Sequence, residues 1–146
     1  MHALVVDDDP CNRKILCTYL QKLGVSFETA SNGLIAVDMV KSSNFDVVWM
    51  DCCMPHMDGF QATEILRQAG FTTLYIIAVI ASGDEMSCKC TSSGMDRYVS
   101  KPVTFDVVKA IVEELQTIVA RNTDHEHKLP TNDMMAVSST VDNACS

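Results

Sequence analysis

The chain has little positive charge. Eleven Lys and Arg stand against 19 Asp and Glu in 146 residues, which leaves a formal charge of -8 and a pI near 4.7. A nucleic-acid binder would normally present a basic face, so that class is excluded. No apolar run approaches the roughly 20 residues needed to span a bilayer. The amino terminus is not signal-like either, because His2-Ala3-Leu4-Val5-Val6 runs straight into Asp7-Asp8-Asp9. The expectation is a soluble cytoplasmic or nuclear protein with neither nucleic acid nor membrane as partner. There is no internal repeat, no Gly-rich phosphate loop, no Ser-His-Asp order and no Cys-His nucleophile pairing.

Paired cysteine motifs are also missing. The seven cysteines are odd in number and irregularly spaced, which argues against a disulfide framework. Cys11 and Cys17 fall in a helical pattern, where a buried thiol acts as a small hydrophobe. Cys88-x-Cys90 is not the Cys-x-x-Cys spacing of zinc or redox motifs, and His125-x-His127 has no second ligand pair.

What is present is enough apolar material, 47% of the chain, to fill one core. Short β-rich runs alternate with longer helical patterns, as in βα units around a parallel sheet. Strands are expected at His2–Val6, Val25–Thr29, Phe45–Met50, Leu74–Ile80 and Asp96–Ser100. Asp9-Pro10 reads as a helix cap followed by proline at the first helical position. Ile15, Leu16, Tyr19, Leu20 and Leu23 form its apolar stripe, which Gly24 ends. Asn32-Gly33 opens a second helix carrying Ile35, Ala36, Met39 and Val40, and Asp58-Gly59 opens a third. A weak, polar fourth helix covers roughly Asp84 to Ser93, and Thr104 caps the last, through Ile111, Leu115 and Ile118.

Composition changes after Arg121. Residues 122–146 are rich in Thr, Asn and Ser, with Lys128 alone against Asp124, Glu126, Asp133 and Asp142. Such a segment has too little apolar periodicity to pack, so a domain over 1–121 and a disordered polar tail are expected.

In an open parallel sheet, ligands gather at the carboxyl ends of the strands. The first strand ends at Asp7-Asp8, the third at Asp51 and the fifth at Lys101-Pro102. Three carboxylates at one edge repel unless a cation sits among them. Hard divalent ions fit, and Mg²⁺ takes one or two carboxylates plus waters and a phosphate oxygen. A lysine beside them supplies a point charge for a phosphoryl oxygen. Asp9 reads simply as a cap.

Four segments carry a family resemblance: Leu4-Val5-Val6-Asp7-Asp8-Asp9, the run from Trp49 to Gly59 that includes Asp51-Cys52-Cys53-Met54-Pro55, Gly94-Met95-Asp96, and Tyr98-Val99-Ser100-Lys101-Pro102. In that order, over about residues 1–120, the sequence resembles the receiver domains of response regulators and hybrid histidine kinases. The resemblance implies a flavodoxin-like (βα)5 doubly wound fold of the α/β class, with strand order 2-1-3-4-5. It implies that Asp51 accepts a phosphoryl group from a phosphohistidine on a histidine kinase or histidine phosphotransfer protein. Asp8, Asp51 and the backbone carbonyl of Cys53 would ligate Mg²⁺, with Asp7 acting through water. Lys101 would pair with Asp51 and then with the phosphoryl, Ala81 would line the phosphoryl pocket, and a cis bond would precede Pro102. Such a protein is not an enzyme beyond its own phosphorylation and dephosphorylation.

One position departs from the family pattern. Family members carry Thr or Ser at the end of the fourth strand, where this chain has Ile80 before Ala81. Isoleucine cannot donate the switch hydrogen bond. Ser82, two residues on, is a candidate substitute, and Tyr98, the aromatic switch partner, is present. Weakened switching is therefore expected, and a non-switching interaction module or phosphate sink stays open as the alternative. A hydrolase of small phosphate esters is disfavoured, since no second aspartate follows Asp51 at two residues. Cys52 and Cys53 flank the acceptor, but nothing basic except Lys101 is near to lower a thiol pKa.

Overall fold

Strands that are apolar on both sides need cover on both sides, and this chain provides it by alternating strands with helices. The computed structural model describes residues 1–81 and 85–125. In chain order the elements are β1 (His2–Val6), α1 (Pro10–Lys22), β2 (Ser26–Ala30), α2 (Gly33–Ser42) and β3 (Val47–Asp51). They continue with α3 (Gly59–Gln68), β4 (Tyr75–Ile80), α4 (Glu85–Ser93), β5 (Arg97–Ser100) and α5 (Phe105–His125). The five strands pair in parallel in the order β2-β1-β3-β4-β5. This is the doubly wound fold expected from the sequence.

Alternation along the strands divides the core into two layers. Leu4, Val6, Val48, Met50, Ile76, Ala78 and Ile80 pack with Ala36, Val40 and Leu66 of α2 and α3. Val5, Trp49, Ile77 and Val79 face the other way, onto Leu20 of α1 and Val108, Ile111 and Leu115 of α5. Full burial of one such aliphatic side chain contributes about 1.5–3 kcal/mol. The helix starts are held by the caps the sequence announces. Asp9 accepts from the Cys11 N–H at 2.9 Å and Asn32 from the Ile35 N–H at 2.8 Å. Asp58 and Gln61 form a reciprocal capping box; a single cap contributes about 1 kcal/mol.

Several expectations need correction. Ile15 and Ile35, placed on the buried stripes, are 47% and 41% exposed. The sheet covers only Leu16 and Leu20 on α1, and Ala36, Val37 and Val40 on α2. Cys11 is exposed rather than packed, and Cys17 is half-buried. α5 runs to His125, four residues beyond the change in composition; residues 126–146, with the tail expected there, lie outside the described residues. Among the described residues no helix is long and apolar enough to cross a membrane.

Away from the acidic edge, one side chain ties four segments together. The Arg67 guanidinium on α3 donates to the carbonyls of Gly94 (2.9 Å), Phe71 (2.5 Å) and Leu74 (2.7 Å). It also pairs with the buried Asp96 carboxylate at 2.8 Å, which accepts from the Ile76 N–H at 2.9 Å. Gly94 lies at φ +99°, and a Cβ there would meet Cγ of Arg67 at 2.9 Å. The Gly94-Met95-Asp96 motif is thus a socket for Arg67. Arg67→Met should lower the unfolding free energy by about 3–5 kcal/mol, the usual loss when a buried ion pair is left with one partner. Urea denaturation measures this, and a loss below about 1 kcal/mol would show that water replaces the guanidinium at little cost.

Candidate functional site

β1 and β3 are parallel neighbours in register, Val6 beside Met50, so the residues at their ends meet at one edge. Ligand oxygens of Asp7, Asp8 and Asp51 lie within 4.8 Å of one another. Asp7 and Asp51 are buried, and Asp8 is exposed. From the end of β5, Lys101 places Nζ 3.1 Å from Oδ1 of Asp51 and 3.8 Å from Oδ2 of Asp7. Oδ1 of Asp51 also accepts from the Cys53 N–H at 3.2 Å. Oδ1 of Asp7 accepts from the Asp9 N–H at 2.9 Å, and Nη1 of Arg13 donates to the Asp7 carbonyl at 2.6 Å.

The electrostatics follow from this crowding. The Asp7 carboxyl is pushed up to about 6, first by burial and then by the neighbouring Asp51 charge, against the pull of the Asp9 N–H and Lys101. Burial alone would lower Lys101, but its hydrogen bond to Asp51 and the charges of Asp51 and Asp7 outweigh burial and raise it. Oδ2 of Asp51 is buried and makes no hydrogen bond. An oxygen in that state is a strained feature in a low-dielectric setting.

Close packing behind the edge holds Asp51 in place. A Cβ on Gly59 would stand 2.4 Å from the Asp51 carbonyl oxygen, so only glycine lets the start of α3 approach this strand end. The Lys101-Pro102 bond is cis, as expected. Beside the edge, a cavity of about 370 Å³ opens between α1 and the segment after β5, lined by Asp7, Ile15, Trp49, Ala81, Lys101 and Pro102 among others.

The remaining predicted residues divide by face. Ala81 is exposed and reaches the cavity together with Lys101. Ile80 is fully buried and packs in the layer that contains Tyr98, itself 7% exposed. Cys53 is exposed and enters the site through its backbone N–H. Ser82 lies outside the described residues. Two features were not legible from the sequence: the exposed apolar side chains Ile15, Leu34 and Ile35 on α1 and α2, and the burial of Cys90 in the core layer that also holds Cys52. Strong helical periodicity reads every such isoleucine as core.

The donor set suits a hard divalent cation. Three carboxylates converge, one of them with an orphaned buried oxygen, and no soft ligand takes part. Asp8 and Asp51 would hold the ion, with Asp7 beside them.

The family model described as the response regulator receiver domain matches residues 3–113. The sensor histidine kinase RcsC of Escherichia coli K12 is 44% identical over 110 residues, which span 75% of this chain but 12% of RcsC. The receiver domain of the sensor histidine kinase PA1611 from Pseudomonas aeruginosa PAO1, with magnesium coordinated in its active-site cleft, aligns with a TM-score of 0.70 at 30% identity. That match covers 78% of this chain and 95% of the other. The receiver domain of Saccharomyces cerevisiae Ssk1, solved with the histidine phosphotransfer protein Ypd1, aligns with a TM-score of 0.70 at 27% identity, over 79% and 86% of the two chains. With its fold, its acidic edge and its lysine in their places, this chain belongs to the response regulator receiver family and is a receiver domain of two-component phosphorelay signalling.

Proposed function

We propose that Asp51 accepts a phosphoryl group from a phosphohistidine on a partner protein, in a Mg²⁺-dependent transfer. The observation that carries this reading is the state of Asp51 itself. One carboxylate oxygen is held by Lys101 and the Cys53 N–H, and the other is buried without a hydrogen bond. In the transfer a carboxylate oxygen of Asp51 attacks phosphorus, the P–O bond forms, and the P–N bond to the donor imidazole breaks. Lys101 then moves its charge from the carboxylate to a phosphoryl oxygen. Such chemistry needs mainly positioning and charge neutralisation. Asp8, Asp51 and the Cys53 carbonyl would hold Mg²⁺, with Asp7 beside them, and the ion would supply the neutralising charge.

A protein donor fits the surroundings. Ile15, Leu34 and Ile35 are 47%, 54% and 41% exposed on helices that begin at the acidic edge. Apolar side chains in that position offer contact to a partner helix, and a small phosphate ester has no use for them. The solved pairing of the Ssk1 receiver with Ypd1 supports a histidine phosphotransfer partner, and the RcsC likeness supports a histidine kinase. The domain is taken to end near residue 121, and 122–146, which includes the last four residues of α5, is taken to be dispensable for transfer.

Ile80 favours a second reading of the output. It stands where the family carries a hydroxyl, fully buried among apolar neighbours, so it cannot report on a phosphoryl group by hydrogen bonding. A charge-assisted hydrogen bond is worth roughly 1.5–3 kcal/mol, or about 10- to 150-fold in a switch equilibrium. The domain then accepts phosphoryl groups with weak conformational response, as an interaction module or phosphate sink.

Three outcomes are expected. With Mg²⁺ and acetyl phosphate, intact mass should show one labile phosphoryl adduct that is absent in Asp51→Asn; an undiminished adduct in the variant would remove the assignment. Trp49, the single tryptophan, is buried two residues before Asp51, so its fluorescence should report a Mg²⁺ titration. Asp8→Ala should shift that titration by about tenfold or more, the effect of losing about 1.4 kcal/mol of binding, and an unshifted curve would place the ion elsewhere. Beryllofluoride with Mg²⁺ should move few amide resonances beyond the acidic edge in the wild type, and Ile80→Thr should extend the change to Tyr98. A full response in the wild type would mean that another donor replaces the missing hydroxyl.

A further inference from the structure

The cavity between α1 and the segment after β5 is more than an annex of the acidic edge. Of the groups described at that edge only Asp7 and Lys101 line it; Asp8, Asp51 and Cys53 do not. Its floor is made by the buried side chains of Val5, Val6, Leu16, Trp49 and Val79. Its mouth is marked by Ile15, Ala81 and Pro102, all exposed. At about 370 Å³ it falls in the size range of small-molecule pockets. An apolar cavity of about 150 Å³ already takes benzene, so this one has room for two fused rings.

One polar group on the floor lacks a partner. Trp49 is fully buried, and its Nε1–H finds no hydrogen-bond acceptor among the described residues. Leaving such a donor unpaired in an apolar setting is costly. The other floor side chains carry no acceptor, and a water molecule at this depth needs about two to four polar partners to be held. An acceptor brought in by a guest would satisfy the N–H. We propose that this cavity binds a neutral, flat, two-ring aromatic molecule whose ring acceptor takes the hydrogen bond from Nε1 of Trp49.

The charges beside the cavity select against ions. Lys101 is already engaged by Asp51 and Asp7, at 3.1 and 3.8 Å. An anionic guest would compete with two carboxylates for that one ammonium group. A cationic guest would be drawn to the acidic edge rather than to the aliphatic floor. A neutral ring pair meets neither obstacle, and it gains by taking apolar surface out of water, including Ile15, which is 47% exposed. Such a guest would stand beside Lys101 and Asp7, whereas Asp51 does not line its cavity. Binding there does not depend on Asp51 accepting a phosphoryl group.

The test titrates the full chain with quinoline, which is uncharged at neutral pH and carries one ring acceptor, and follows the amide and indole N–H resonances. Trp49 is the single tryptophan, so the indole region holds one side-chain signal. That signal should move downfield and saturate, with the amides of Val5, Ile15 and Val103 following the same curve. Indole, a similar ring pair whose nitrogen donates instead of accepting, should bind about fivefold more weakly, the usual net value of one hydrogen bond. In Trp49→Phe the two should bind alike. Saturating shifts that spare the Trp49 N–H would overturn the proposal, as would equal binding of quinoline and indole by the wild type. Failure to saturate at millimolar quinoline would overturn it too. If Trp49→Phe does not fold, the wild-type titrations alone decide.

Discussion

Two buried carboxylates beside a third, with one lysine to hold them, is the constraint around which the rest of this domain is arranged. Like charges about 4 Å apart cost about 4 kcal/mol at the effective dielectric typical of protein surfaces, and more with depth. Lys101 offsets part of that repulsion through its contacts at 3.1 and 3.8 Å, and the Asp9 and Cys53 N–H groups offset more. The remainder is left standing. Asp7 retains its proton well above the ordinary carboxylate range, and Oδ2 of Asp51 stays unpaired. The domain therefore keeps an electrostatic deficit that a divalent cation would relieve.

The scaffold holds this arrangement rigid by means that have no chemistry of their own. β1, β3 and β5 deliver the charged groups because their parallel register brings the strand ends to one edge. Gly59 admits the start of α3 against the Asp51 carbonyl. Far from the acidic groups, Arg67 fastens α3 to the starts of β4 and β5. An error of an ångström at the edge would undo the balance of charges, and such packing prevents it.

Much of this was legible in the residues. Asp9-Pro10, Asn32-Gly33 and Asp58-Gly59 announce helix starts because capping is a local matter of side-chain oxygens and backbone N–H groups. The carboxylates and Lys101 could be placed together because strand ends share an edge in any parallel sheet. What escaped depends on partners distant in sequence. Arg67 bonds Gly94 and Asp96, 27 and 29 positions away, and no periodicity marks it. Ile15 and Ile35 sit on helical stripes wider than the strip the sheet covers, so an apolar pattern alone cannot say which members are left over. Cys90 reads as one more polar-helix cysteine until α4 is laid on the core.

The length of α5 has a mechanical consequence. At 21 residues it is about 30 Å long, whereas the strands it packs on have four to six residues and span about 13–20 Å. It is joined at Phe105 to the short segment that carries Lys101. A tilt of about 10° about that joint would carry its far end about 5 Å, given a helix of this length. Its buried core contacts lie between Val108 and Leu115, so packing on the sheet opposes such a tilt near the charged edge, while the last turns outrun the strands.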